Sequence, residues 1–201
     1  MLHYLKNWNN YLKAFLVWRS QNIKNKSFVL ILSVLMGFLC AVGAYCLKQG
    51  VHLVESFFVD TAIKQSGYAL YFLLPVIGIA IARLLIKYAI KEEVGHGIPN
   101  TLYALSKGNG MISKKKTYSS VLTAAFTVGF GGSCGLEGPA VGTSSAIGSN
   151  LSKALRLNQK TRKLLIGCGA AAALSAIFKA PVAAIVFAME VILLDITTFS
   201  L

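Results

Sequence analysis

The chain has 201 residues, of which 55% are hydrophobic and only 13% charged, and its formal net charge is +13 at pH 7. Apolar runs of membrane-spanning length have no place in a soluble domain of this size, so the composition describes an integral membrane protein. The positive charges are scattered over separate loops, which excludes a concentrated nucleic-acid surface and leaves orientation in the bilayer and anionic lipid as their use.

In chain order, residues 1–27 lack the apolar core of a cleavable signal peptide. Leu5, Trp8, Leu12 and Phe15 share one helical face with Lys6 and Lys13 among the residues between them. This predicts an amphipathic helix lying on the cytoplasmic membrane surface, with Trp8 and Trp18 near the headgroups; a merely solvated helix is the alternative. Residues 28–47 are twenty uncharged positions, enough to cross a hydrocarbon core of about 30 Å. Val51, Val54 and Phe58 keep the helical spacing, so this first span is expected to continue as a long tilted helix. The loop near Gln65, Ser66 and Gly67 is expected to face outward. A second span over residues 69–82 extends to 86 if Arg83 snorkels, and is expected to kink or open at Pro75.

The segment Gly95-His96-Gly97-Ile98-Pro99 precedes a short apolar stretch, 101–105, that is too brief to cross a bilayer. It must be re-entrant or packed on protein, with Pro99 marking a helix start. Residues 118–136 give nineteen more uncharged positions, and Glu137 is the sole charge between Lys116 and Lys153. A lone carboxylate at membrane depth costs about 2.5 kcal/mol or more, so it is a functional candidate by default. It sits in Gly135-Leu136-Glu137-Gly138-Pro139-Ala140, just before a helix expected through Ser152, where free N–H groups and the helix dipole attract anions. The arrangement reads as an anion site with a built-in anionic competitor; a plain helix cap is the duller reading. Thr143, Ser144, Ser145, Gly148, Ser149 and Asn150 place that helix in the protein interior.

Further on, Gly167, Gly169 and the alanines at 170–173 permit close helix packing. Phe178-Lys179-Ala180-Pro181 breaks the run into pieces of fifteen and ten residues, expected to dip in and return as a re-entrant pair. Cys40, Cys46, Cys134 and Cys168 form no CxxC pair and are expected to be small buried residues, neither disulfides nor metal ligands; for Cys134 the other reading is a place on the outer approach to Glu137. Glu55 and Asp60 are expected in solvent. Glu92 and Glu93 are expected at a cytoplasmic vestibule, where they repel anions unless paired with Lys87 or Lys91. No phosphate-cradling Gly-Lys-Ser/Thr motif, metal-ligand set or acid–base pair is present, so no enzyme, metal or cofactor is expected. Five basic residues precede the first span, seven lie between the second and third, and five follow the Pro139 helix, against only Lys48 and Lys64 in the first interhelical loop. That asymmetry puts the N-terminus in the cytoplasm; a bacterial-type inner membrane is the expected location.

Taken together, Gly95-His96-Gly97-Ile98-Pro99, Gly135-Leu136-Glu137-Gly138-Pro139 and the Ala-rich segment running through Lys179-Ala180-Pro181 to Glu190 resemble the CLC family of chloride channels and anion/proton exchangers. Their order and spacing both match. The resemblance covers residues 28–201 and implies an all-α membrane fold of tilted and re-entrant helices, the first half of an inverted-repeat subunit. The chain is accordingly expected to be truncated, and by itself neither to conduct nor to fold stably. The resemblance further implies a homodimer with one pore per subunit, and an anion held near the midplane by Gly97, Ile98, Pro99, Gly135, Gly138, Pro139 and Ala140. It implies Glu137 as the gating glutamate, with chloride and protons as partners.

Three departures from the family pattern matter. His96 stands where a serine hydroxyl usually meets the anion; it either donates to the anion and adds pH sensitivity or points to the cytoplasm. Leu136 replaces a usual basic residue, which removes positive potential beside Glu137. Val191 stands where exchangers typically carry an inner proton-relaying carboxylate, which leans toward a passive channel, with an anion/proton antiporter as the alternative. Glu190 is a proton acceptor or a structural carboxylate near Lys179.

Overall fold

The long apolar run near the N-terminus folds as one helix, α1 (Asn25–Val54), that continues through a π-helical turn over Glu55–Val59. The computed structural model describes residues 22, 24–59, 72–92, 95 and 97–193. The surface helix expected before residue 22, the outward loop at Gln65, Ser66 and Gly67, and the expectations for Asp60, Glu93, His96 and Asp195 lie outside the described residues. Among the described residues six further α-helices follow: α2 (Leu74–Leu84), with a π-helical extension over Leu85–Ile90, α3 (Gly97–Ser106), α4 (Lys116–Gly129), α5 (Glu137–Ala154), α6 (Gln159–Phe178) and α7 (Pro181–Phe187), with a π-helical extension over Ala188–Leu193. The described residues are all-α.

The 30 residues of α1 make about 45 Å at 1.5 Å per residue, longer than a bilayer core, as the expected tilt requires. Its buried residues, Phe28, Leu32, Met36, Cys40, Ala44, Leu47 and Val51, recur every three or four positions and form one stripe against the protein. The opposite face is just as apolar yet open: Val34 is 76% exposed and Phe38 67%. A helix that hides one apolar face and bares another is built for lipid, not water.

Helix α5 is the hub, touching α1, α3, α4 and α6. Its expected burial is observed: Thr143, Ser144, Ser145, Ser149 and Ser152 are all buried. Small residues let the backbones close in. A Cβ on Gly148 would lie 2.9 Å from the Leu165 carbonyl oxygen, and one on Gly169 would lie 2.9 Å from that of Ser144, so any larger side chain would push α5 and α6 apart. Hydroxyls bond locally: Ser152 Oγ donates to the Gly148 carbonyl at 2.7 Å. Ser149 Oγ donates to the Gly110 carbonyl at 2.6 Å and accepts from the Ile112 N–H at 2.9 Å, tying the α3–α4 connection to the hub.

Several expectations are corrected. Of the two readings for Pro75, an opening fits and a kink does not: after a turn at Phe72 and Leu73, Pro75 occupies the first turn of α2, where a missing N–H leaves no helical bond unmade. The uncharged run 118–136 is not one span. Helix α4 stops at Gly129, and Gly131, at φ 88°, adopts a conformation that turns the chain. Helix α6 is 20 residues long, not fifteen, because Lys160, Arg162 and Lys163 form its first turns instead of a loop, behind an Asn158 cap whose side chain accepts from the Thr161 N–H at 2.9 Å. Asn25–Phe58 and Gln159–Phe178 are the two helices among the described residues long and apolar enough to cross a membrane. Lys179 ends α6 in the left-handed region at φ 54°, and Pro181 opens α7. Of the cysteines only Cys40 is buried; Cys168 is half-buried, and Cys46 and Cys134 are exposed, so burial was wrongly expected for those two. All four are free thiols.

Candidate anion site at two helix starts

Two helices begin in the same way. Helix α3 starts Gly97-Ile98-Pro99 and α5 starts Glu137-Gly138-Pro139. The first N–H groups of a helix have no partner within it, and a proline in third place removes one of them. Each start therefore offers two backbone donors, those of Gly97 and Ile98 in α3 and of Glu137 and Gly138 in α5. None of these four donates to a backbone carbonyl among the described residues. The amide of Ala140 is already engaged, donating to the Leu136 carbonyl at 3.0 Å, and Ala140 is itself buried.

The fold brings these starts, forty positions apart, into contact. A Cβ on Gly97 would collide with the Gly138 carbonyl. A Cβ on Gly142 would come 3.2 Å from the Gly97 Cα. Only glycine at 97 allows this approach. A cavity of about 520 Å³ lies beside the junction, lined among others by Gly97, Ile98, Pro99, Gly135, Glu137, Gly138 and Pro139. Every predicted anion-site residue except Ala140 and the undescribed His96 thus faces one space.

Glu137 is the first residue of α5, one step inside the helix instead of just before it. Its side chain is half-buried and folds back against Gly135, where a Cβ would strike its carboxylate. No described residue gives it a hydrogen bond or an ion pair, and among the described residues it is the only charged group lining its cavity. A carboxylate at the positive end of an 18-residue helix is favoured by about 0.3–1 kcal/mol. An anion placed there would compete for the same field. Cys134 lines this cavity too, so the outer-approach reading fits it and core packing does not.

A second cavity, about 290 Å³, lies on the other side of the Gly97 contact and is lined by Glu92, Asn100, Ser113 and Lys116 among others. Glu92 accepts a hydrogen bond from Ser113 Oγ at 2.9 Å and makes no ion pair with Lys87 or Lys91. Glu190 and Val191 are exposed and line neither cavity, and Glu190 makes no ion pair with Lys179 among the described residues. Glu55 is exposed, with His52 Nδ1 3.6 Å away. Among the described residues no group of three or more His, Cys, Asp or Glu could hold a metal.

Sequence reasoning missed the α4 side of the site. Ser120, Thr123 and Thr127 line the larger cavity from positions three and four apart, one face of a helix. Three hydroxyls at that spacing in an uncharged stretch were the available signal.

Residues 78–201, more than half of the chain, match the model of the voltage gated chloride channel family. The chain is 34% identical over 173 residues to the H(+)/Cl(-) exchange transporter ClcA of Vibrio cholerae, covering 81% of this chain and 36% of that protein. It is 32% identical over 133 residues to a Ralstonia nicotianae protein named as a ClcB-like chloride channel, covering 64% and 31%. A Salmonella arizonae ClcA exchange transporter is 26% identical over 176 residues, covering 85% and 37%. The chain spans about a third of the length of these relatives. The family is one of channels and transporters, not enzymes, and with its motifs gathered at one cavity this chain belongs to the voltage gated chloride channel family.

Proposed function

We propose that this chain forms one side of a pathway for chloride or a similar small anion, with Glu137 as its gate. The observation that carries this reading is the meeting of two helix starts at one cavity beside a half-buried carboxylate that has no partner among the described residues. The N–H groups of Gly97, Ile98, Glu137 and Gly138 favour negative charge, and Pro99, Gly135 and Pro139 shape the space. The carboxylate and a permeant anion contest those donors. Protonation neutralises the carboxylate and weakens its claim, so anion occupancy rises as pH falls. His96, beside Gly97 in the sequence, adds a second group able to titrate near neutral pH.

Passive conduction is the favoured mechanism, because Val191 cannot relay protons and Glu190 lines neither cavity. Coupled chloride/proton exchange is the second reading, favoured by the 34% identity to an exchange transporter. The whole assembly on this reading is a multi-pass homodimer in a bacterial-type inner membrane, with its N-terminus cytoplasmic.

Chloride flux into vesicles holding the full-length protein tests the gate. Glu137→Gln is expected to abolish the rise of flux on acidification, and Glu137→Ala to leave the pathway open across the pH range. Flux unchanged by both substitutions would remove Glu137 from the mechanism. A reversal potential that follows the proton gradient would replace the channel with the exchanger.

A further inference from the structure

We propose that the Ser120 hydroxyl is an anion ligand at the neck between the two cavities, an inference that rests on the anion pathway proposed above. The two cavities share three lining residues, Gly95, Gly97 and Ser120. Two of these have no side chain, so Ser120 supplies the only side-chain group at the junction among the described residues. It is 8% exposed. Its Oγ faces the α5 backbone, where a Cβ on Gly142 would come 3.5 Å from it, and Gly142 in turn abuts Gly97.

The hydroxyls on the same face of α4 behave differently. Thr123 Oγ1 donates to the Ser119 carbonyl at 2.9 Å and Thr127 Oγ1 to the Thr123 carbonyl at 2.9 Å. Each thereby satisfies its own proton on its own helix. Ser120 Oγ has no hydrogen-bond partner among the described residues. Its side chain opens onto both cavities, unlike the enclosed, unpartnered hydroxyls of Ser119, Thr143 and Ser145, so its proton is available to a ligand that accepts it. The ligand class follows from the surroundings. The junction offers backbone N–H groups and one O–H; Glu137 lines the larger cavity, and Glu92 and Lys116 line the smaller one. A small monovalent anion such as a halide or nitrate accepts from the N–H and O–H donors; a cation finds no side-chain carboxylate at the neck. The serine proton is the one donor there that a substitution can remove without altering the backbone, which makes the position a determinant of selectivity.

The test uses the full-length protein, with chloride and nitrate as probes, reading affinity by calorimetry and the chloride-to-nitrate permeability ratio from bi-ionic reversal potentials. Ser120→Ala is expected to weaken chloride binding about tenfold, the size of a lost hydrogen bond to a charged group, and to change the permeability ratio. Ser120→Thr keeps the hydroxyl and is expected to stay within about twofold of the parent. Ser120→Cys, close in shape but a weak donor, is expected to fall with alanine, and serves if the alanine variant does not fold. A purely structural serine would leave the permeability ratio unmoved. Unchanged affinity and ratio in the Ala or Cys variant, while Glu137→Gln still alters the pH dependence, would overturn the Ser120 assignment and leave the anion pathway standing. Absence of anion flux and of chloride binding in the parent protein would overturn both.

Discussion

Helices α1 and α5 have opposite characters. Helix α1 is apolar all round and keeps half of itself exposed, with Leu30 69% and Val34 76% open. Helix α5 carries hydroxyls along its length and hides them, with Ser145 and Ser149 fully buried. In water this would be an inverted protein. In a bilayer the solvent is hydrocarbon, so apolar faces need no cover and every polar group needs a partner. Helix α1 is the wall and α5 is the interior, and the candidate site sits where the interior helix begins.

The sharpest way to break that contrast is to separate α5 from α6. Gly148→Val drives a side chain into the Leu165 backbone and is expected to cost about 3 kcal/mol or more, as overpacking does; thermal unfolding in detergent would read it as loss of the folded fraction. A smaller effect separates the two helices directly. Ser149→Ala strands the Ile112 N–H and the Gly110 carbonyl and is expected to cost about 2 kcal/mol. Phe38→Ala on the open face of α1 is expected to change stability by less than about 0.5 kcal/mol. Equal losses from the two substitutions would show that α5 is not the interior element. A further effect has the opposite sign. Lys179→Gly relieves a left-handed residue at the end of α6 and is expected to stabilise by about 1 kcal/mol; a lower midpoint would mean that the lysine side chain holds the α6–α7 break.

Much of this was legible in the sequence, because the signals were local. The stripe from Phe28 to Val51 is a period, Pro99 and Pro139 are punctuation, and a lone Glu137 in an uncharged stretch stands out by cost. What failed was reading charge as a boundary. Lys160, Arg162 and Lys163 looked like loop but belong to α6, since a helix can carry its basic turns out of the apolar layer. Ser145 and Asn150 were expected in the protein interior. The described helices bury Ser145 and half-bury Asn150, although Ser145 Oγ and Asn150 Oδ1 do lack partners. Ser120 was marked in the sequence only by its spacing with Thr123 and Thr127; its place at the neck depends on Gly97, Gly142 and Ser120 converging from three helices, a property of tertiary structure.

The Gly148–Leu165 contact also bears on how the molecule is made. The ribosome delivers the hydroxyl-rich coil of α5 before the stretch that will shield it. Unlike α1, which can enter lipid as soon as it emerges, that coil has no comfortable home until Gln159–Phe178 arrives. Biogenesis must therefore keep it in the translocon or against α1 and α4 for the time needed to synthesise about two dozen more residues, and a delay there is where nascent chains would be lost to quality control.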